Sequence, residues 1–161
     1  MTSRPRVAIT MGDAAGIGPE ITVKSLADTR AVEWCVPLVI GDARVLERAM
    51  DATGTRLAIR RIGTVGEATG AAGTIDVLDD AAIDMATHRW GEVDPRYGDA
   101  AVRWTKEAGR LALAGEIDAM VSAPLNKEAM HAAGHSYEGQ TEILGEMTQS
   151  KPAMEIGRAH V

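Results

Sequence analysis

The 161-residue sequence contains no phenylalanine, a single cysteine and only 3% aromatic residues. A lone Cys35 excludes an internal disulfide framework, and with no second thiol nearby it reads as a small buried thiol, not a metal or redox centre. Positive charge is also in short supply: 17 Lys plus Arg stand against 23 Asp plus Glu, for a net charge of −6. The charges are dispersed, so there is no basic stripe to follow a phosphodiester backbone, and nucleic acid is not an expected partner. No apolar run approaches the roughly 18 residues of a membrane span. Met1-Thr2-Ser3-Arg4-Pro5 lacks the apolar stretch of a secretion signal, so the expectation is a cytoplasmic protein with no membrane partner. Hydrophobic content is nevertheless 45%, so the core must be built from Ala, Val, Ile, Leu and Met. The eight Met read as filler of such a core, and the 17 Gly imply tight turns and close approaches between segments.

What is present alternates short β-branched runs with longer helical patterns, the sequence form of an α/β protein with a largely parallel sheet. Strands are predicted over Val7–Met11, Pro37–Gly41, Leu57–Arg61, Ile75–Leu78 and Ile117–Ser122. Helices are predicted from Pro19 to Leu26, from an Asp42 cap to Met50, over Lys127–Ala133 and over Thr141–Thr148. The clearest helix runs from Gly98 to Ala114 and ends at Gly115. Its Ala101, Trp104, Ala108 and Leu111 share one face, with Arg103, Lys106, Glu107 and Arg110 on the other.

Three segments, each following a predicted strand, could carry chemistry, because open α/β sheets bind ligands beyond the carboxyl ends of their strands. The first, Gly12-Asp13-Ala14-Ala15-Gly16-Ile17-Gly18-Pro19-Glu20, is a Gly-rich turn opening a helix, where backbone N–H groups and the helix dipole suit an anion. Its spacing is not that of a dinucleotide fingerprint, and on the glycines alone a tight structural turn is the simpler reading. The second, Ser122-Ala-Pro-Leu-Asn126-Lys127-Glu128, puts an amide, an ammonium and a helix start near one point; an anion site and an ordinary capped turn fit these residues equally. The third, Gly134-His135-Ser-Tyr137-Glu-Gly139-Gln140-Thr141-Glu142, places two polar side chains at a helix start. His131 and His135 are four apart, but Gly134 breaks the helix between them, so surface histidines are expected in place of a metal pair.

Together and in this order, the segments resemble the 4-hydroxythreonine-4-phosphate dehydrogenase family, also written PdxA. Met11 to Glu20 is similar to the family's Met-Gly-Asp-Pro-Ala-Gly-Ile-Gly-Pro-Glu, with Ala14 in place of Pro. Pro124 to Ala129 matches its Pro-Leu-Asn-Lys-Glu-Ala, and Gly139 to Ile143 matches its Gly-His-Thr-Glu-Ile with Gln140 in place of His. The resemblance covers residues 1–155 as the N-terminal half of such a dehydrogenase. It implies a fold like isocitrate and isopropylmalate dehydrogenases, with a largely parallel sheet flanked by helices and truncated here, and a homodimer for the full-length protein.

The implied activity is NAD-dependent oxidation of 4-(phosphooxy)-threonine, followed by decarboxylation, in pyridoxine biosynthesis. A close alternative is a dehydrogenase of D-threonate or D-erythronate 4-phosphate, and one from another class is a non-catalytic anion-binding module. Substrate contacts map to Gln140, Thr141, Lys127 and Asn126, and cofactor contacts to Gly16 and Gly18. The family's divalent metal (Zn, Mg or Co) is expected to find its ligands downstream, with none in this chain, so the chain by itself is expected to be inactive. Catalytic residues are not assigned. Gln140 can donate and accept a hydrogen bond but cannot carry the proton a His could, which implies weaker binding or a different substrate. Residues 156–161 resemble the translation of a sequencing adapter and read as a non-native tail.

Overall fold

The structure is a computed structural model that describes residues 4–151. Its strands are β1 (Arg6–Thr10), β2 (Val36–Gly41), β3 (Ala58–Ile62), β4 (Thr74–Asp79) and β5 (Ala119–Ser122). They form one fully parallel sheet in the order β3-β4-β2-β1-β5. The helices are α1 (Gly18–Ala27), α2 (Arg30–Trp34), α3 (Ala43–Thr53), α4 (Pro95–Leu113), α5 (Lys127–Ala132) and α6 (Gln140–Thr148). The α/β expectation stands. Parallel strands need helical crossovers, and these cover both faces. Successive side chains of a strand point to opposite faces. On one, Ile9 meets Ile21 and Thr22 of α1, which packs beside α3; on the other, α4 lies across β1, β2 and β5.

α4 departs from the one-sided helix read from its periodicity. Ala101, Trp104, Ala108 and Leu111 are buried as expected, but Val102 is buried as well, in a second cluster with Met130 of α5 and Ile143 of α6. The helix is therefore covered by the sheet on one side and by α5 and α6 on the other. It also starts one turn earlier than Gly98. The Asp94 side chain accepts the N–H of Arg96, and Pro95 occupies the first turn, where it has no N–H to lose. α2 has no counterpart in the periodicity; it is short and contributes no buried residue. Cys35, which ends it, is half-buried, not buried, and its thiol donates to Ala31 O. Burial pushes that thiol upward in pKa. Among the described residues β5 is paired on one side only, by β1, and its Val121 is 53% exposed, an open apolar edge.

Buried carboxylates pin the loops to this frame. Asp42 accepts the N–H groups of Arg44 (3.0 Å) and Ile83 (2.9 Å) and the Arg44 guanidinium (2.7 Å). Asp76 accepts Arg60 Nε (2.6 Å) and Thr69 N–H (2.8 Å). Burial by itself would raise both carboxyls, but the guanidinium and N–H donors outweigh it and hold them below the ordinary carboxylate range. Arg96 does the same for Asp94. A carboxyl depressed in the folded state contributes stability above its unfolded pKa, near 4, and that contribution is lost as pH falls through the folded value. Asp13, raised by burial, has the opposite sign and offsets a part. Thermal melts are expected to hold steady from about pH 7 to about pH 5 and to drop below about pH 4. Asp42→Asn should flatten that drop, and an equally steep loss in the variant would rule out Asp42 as a source.

Candidate functional site

The chain leaves β1 through α1 toward β2, whereas β5, on the other side of β1, is reached through α4 from β4. Between β1 and β5 the connections part in opposite directions, the position where doubly wound sheets open a ligand crevice. The loops after these two strands are joined by backbone contacts. Gly12 sits at φ 73°, and a Cβ there would lie 2.3 Å from Pro124 O, while the Asp13 N–H donates to that same carbonyl at 2.9 Å. A Cβ at Gly18 would lie 2.2 Å from Met11 O. Gly12 and Gly18 are thus required by the chain's own close packing, and of the two glycines mapped to a cofactor only Gly16 reaches the crevice wall.

The crevice has a volume of about 350 Å³. Asp13, Gly16 and Ile17 line one side, Asn126 and Lys127 the other, and Gly91 with Glu92 close the end. Asn126 caps α5 by accepting the Ala129 N–H at 3.1 Å, and its NH2 has no partner among the described residues. Lys127 is exposed on the rim. The amide and the ammonium are therefore brought together as the spacing suggested, against the N-terminus of α1. Gln140 and Thr141 start α6 but do not line this crevice. Gln140 Nε2 donates to Ala123 O at 2.8 Å, tying the third segment to the turn after β5, and Thr141 is exposed.

Beneath the Gly-rich loop lies a histidine with no sequence signal. His88 is 0% exposed; its Nε2 is 2.9 Å from Ala14 O and its Nδ1 3.0 Å from Arg48 Nη1. A guanidinium only donates, so Nδ1 accepts and Nε2 carries the hydrogen given to Ala14. The ring packs edge-on to Trp90, and Gly91 N–H donates to Ala15 O at 2.8 Å. The Gly-rich loop is thereby seated on the segment that precedes α4. Asp13 is 3% exposed, and its Oδ1 accepts the Ala15 N–H at 2.7 Å. Its carboxyl is raised by burial, against the Ala15 and Gly16 N–H groups and His88, which lower it.

A hollow of about 360 Å³ between β4 and α4 is similar in size, but its charges satisfy one another: Arg103 pairs with Asp80 and Asp99. His131 faces Tyr137 O and His135 faces Asp99, on either side of Gly134 at φ 90°, so the two do not converge. Among the described residues no three His, Cys, Asp or Glu side chains are grouped to hold a metal, and no helix is long and apolar enough to cross a membrane. His160 and the suspected tail lie outside the described residues.

Fold and crevice define a doubly wound, parallel α/β protein with an open crevice at its switch point. The family model described as pyridoxal phosphate biosynthetic protein PdxA matches residues 33–160, and the chain belongs to that family. It is 46% identical over 144 residues to the D-threonate 4-phosphate dehydrogenase of Cupriavidus necator, covering 89% of this chain and 43% of that protein. It is 40% identical over 147 residues to the 4-hydroxythreonine-4-phosphate dehydrogenase of Trichlorobacter lovleyi, covering 91% of this chain and 44% of the relative. The crystal structure of a 4-hydroxythreonine-4-phosphate dehydrogenase from Burkholderia phymatum superposes with a TM-score of 0.89 at 47% identity, covering 93% of this chain and 45% of that one. The chain thus spans less than half the length of the relatives it matches.

Proposed function

We propose that this chain supplies the β1–β5 crevice of a dehydrogenase that oxidises a 4-phosphorylated, four-carbon hydroxy acid, D-threonate 4-phosphate or 4-(phosphooxy)-threonine. The observation that supports this is the convergence of Lys127, the NH2 of Asn126 and the N-terminus of α1 on one crevice. Each favours an anionic group, the ammonium by charge, the amide by its hydrogens and the helix by the positive end of its dipole. NAD, if bound, would supply the hydride acceptor. Gly16 and Ile17 are the residues of this crevice that can approach a cofactor, by backbone at the start of α1. The described residues offer no ligand set for a divalent metal, and no step is assigned to one. Gln140 holds the start of α6 to Ala123, and its remaining carbonyl oxygen can only accept. A homodimer in the cytoplasm and a non-native tail over residues 156–161 belong to the same reading.

The 161-residue chain by itself is expected to give negligible NADH from either substrate. A chimera in which residues 4–151 replace the matching part of the Cupriavidus necator enzyme should produce NADH from at least one. A folded chimera inert on both would overturn the proposal, whereas robust turnover by the chain alone would overturn only the expectation that it is inactive by itself.

A further inference from the structure

Asp13 is nearly fully buried. Oδ1 accepts the Ala15 N–H at 2.7 Å and the Gly16 N–H also acts on the carboxyl, but no side chain among the described residues donates to it, and Oδ2 is not among the buried atoms left unpaired. Asp13 lines the crevice, so the little exposure it keeps is into that space. A carboxylate oxygen that opens onto the crevice can accept a hydrogen bond from a donor on a ligand placed there. Glu92 adds a second carboxylate to the lining, while Lys127 and Asn126 stand on the wall formed by the turn after β5. The crevice is therefore polarised, with acceptors on the side of the Gly-rich loop and donors on the side of the Asn-Lys turn. A bare phosphate satisfies the second and is repelled by the first. A ligand that carries an anionic group at one position and a hydroxyl or ammonium at another satisfies both.

We propose that Asp13 is a specificity-determining residue: its Oδ2 accepts a hydrogen bond from a hydroxyl or ammonium on the ligand's carbon chain, selecting hydroxylated or aminated phospho-acids over their deoxy counterparts. This rests on the reading above that the crevice holds the phosphorylated acid. His88 acts behind it as a positioning residue, since its bond to Ala14 O and the Gly91 bond to Ala15 O fix the turn that aims Asp13.

Asp13→Asn isolates the role. The amide oxygen can keep the Ala15 N–H, while Oδ2 becomes an NH2 donor of the same size. Calorimetric titration of the 161-residue chain with D-threonate 4-phosphate and with 4-(phosphooxy)butanoate, which lacks the two hydroxyls, is the direct test. The wild-type chain should favour the hydroxylated ligand by about tenfold or more, as expected for a hydrogen bond to a charged group. Asp13→Asn should lower that ratio several-fold without weakening the deoxy ligand, because its NH2 can still donate to a hydroxyl but the charge-assisted bond is lost, and Lys127→Ala should weaken both ligands alike. If Asp13→Asn does not fold, the wild-type carboxyl carbon of Asp13, followed by ¹³C NMR, should shift with the hydroxylated ligand and not with the deoxy one. A ratio unchanged in Asp13→Asn, or equal ¹³C shifts with both ligands, overturns the role of Asp13 and leaves the functional reading standing. Failure of the wild-type chain to bind either ligand overturns the role of Asp13 in this chain, while the chimera decides the functional reading.

Discussion

Trp104→Ala is expected to lower the free energy of unfolding by about 3–5 kcal/mol, the range for removing a large aromatic from a core. Trp104 is 2% exposed and is the largest fully buried side chain among the described residues. It projects from α4 toward the sheet, where Ile40 of β2 and Leu78 of β4 share its surroundings. The absence of phenylalanine makes the site sensitive. On the same helix the neighbouring buried residues are Ala100, Ala101 and Ala108, which have no side chain long enough to swing into the space an indole leaves. A void that cannot collapse carries the cavity cost in addition to the lost transfer energy. The indole N–H, however, has no hydrogen-bond partner among the described residues. Trp104→Phe removes that unsatisfied donor, a gain, and trims buried apolar area, a loss, so it should stay within about 1 kcal/mol of the wild type. Urea denaturation at constant m-value separates the two variants. Equal losses would mean that the N–H is bonded in solution and that the packing account is incomplete.

Much of this arrangement was legible in the sequence, for reasons that also explain what was not. The strands follow from local composition: β2 is a continuous apolar run because it is covered on both faces, and each predicted strand lies within a residue or two of the observed one. The first residues of α4 were missed because its start is encoded in the Asp94-Pro95 cap and not in hydrophobic period. Its second buried face was missed because Gly98, Val102 and Gly109 become interior only once α5 and α6 pack over them. The crevice was half legible. Turns after β1 and β5 announce themselves by Gly, Pro, Asn and Lys, and topology makes them neighbours. His88 could not be found that way, since its partner Ala14 is 74 residues distant and nothing periodic surrounds it. Gln140 and Thr141 were mapped by resemblance; Gln140 meets the turn after β5 from the side, Thr141 is exposed, and neither lines the crevice.

Gly98→Ala is expected to cost about 3 kcal/mol, near the upper end for overpacking, although alanine is the better helix former by about 1 kcal/mol. A Cβ at Gly98 would lie 2.3 Å from both the carbonyl carbon and the oxygen of Ala129 and 2.4 Å from Met130 N. These are backbone atoms of α5, so no rotamer change relieves the clash and the short helix must move away as a body. α5 begins at Lys127, and its cap is Asn126, so the displacement is delivered to the donor side of the crevice. Affinity for D-threonate 4-phosphate should therefore fall together with stability. Gly109→Ala is the control. There the new methyl meets Sδ and Cε of Met147 at 2.9 and 3.0 Å, the far end of a flexible side chain that can turn aside. Helix propensity should then offset most of the strain, leaving stability within about 1 kcal/mol of the wild type and ligand affinity unchanged. If the two variants melt together, backbone contact between α4 and α5 does not set the position of Asn126 and Lys127. If Gly98→Ala loses stability yet binds as well as the wild type, the donor side of the crevice is held by the turn after β5 and not by α5.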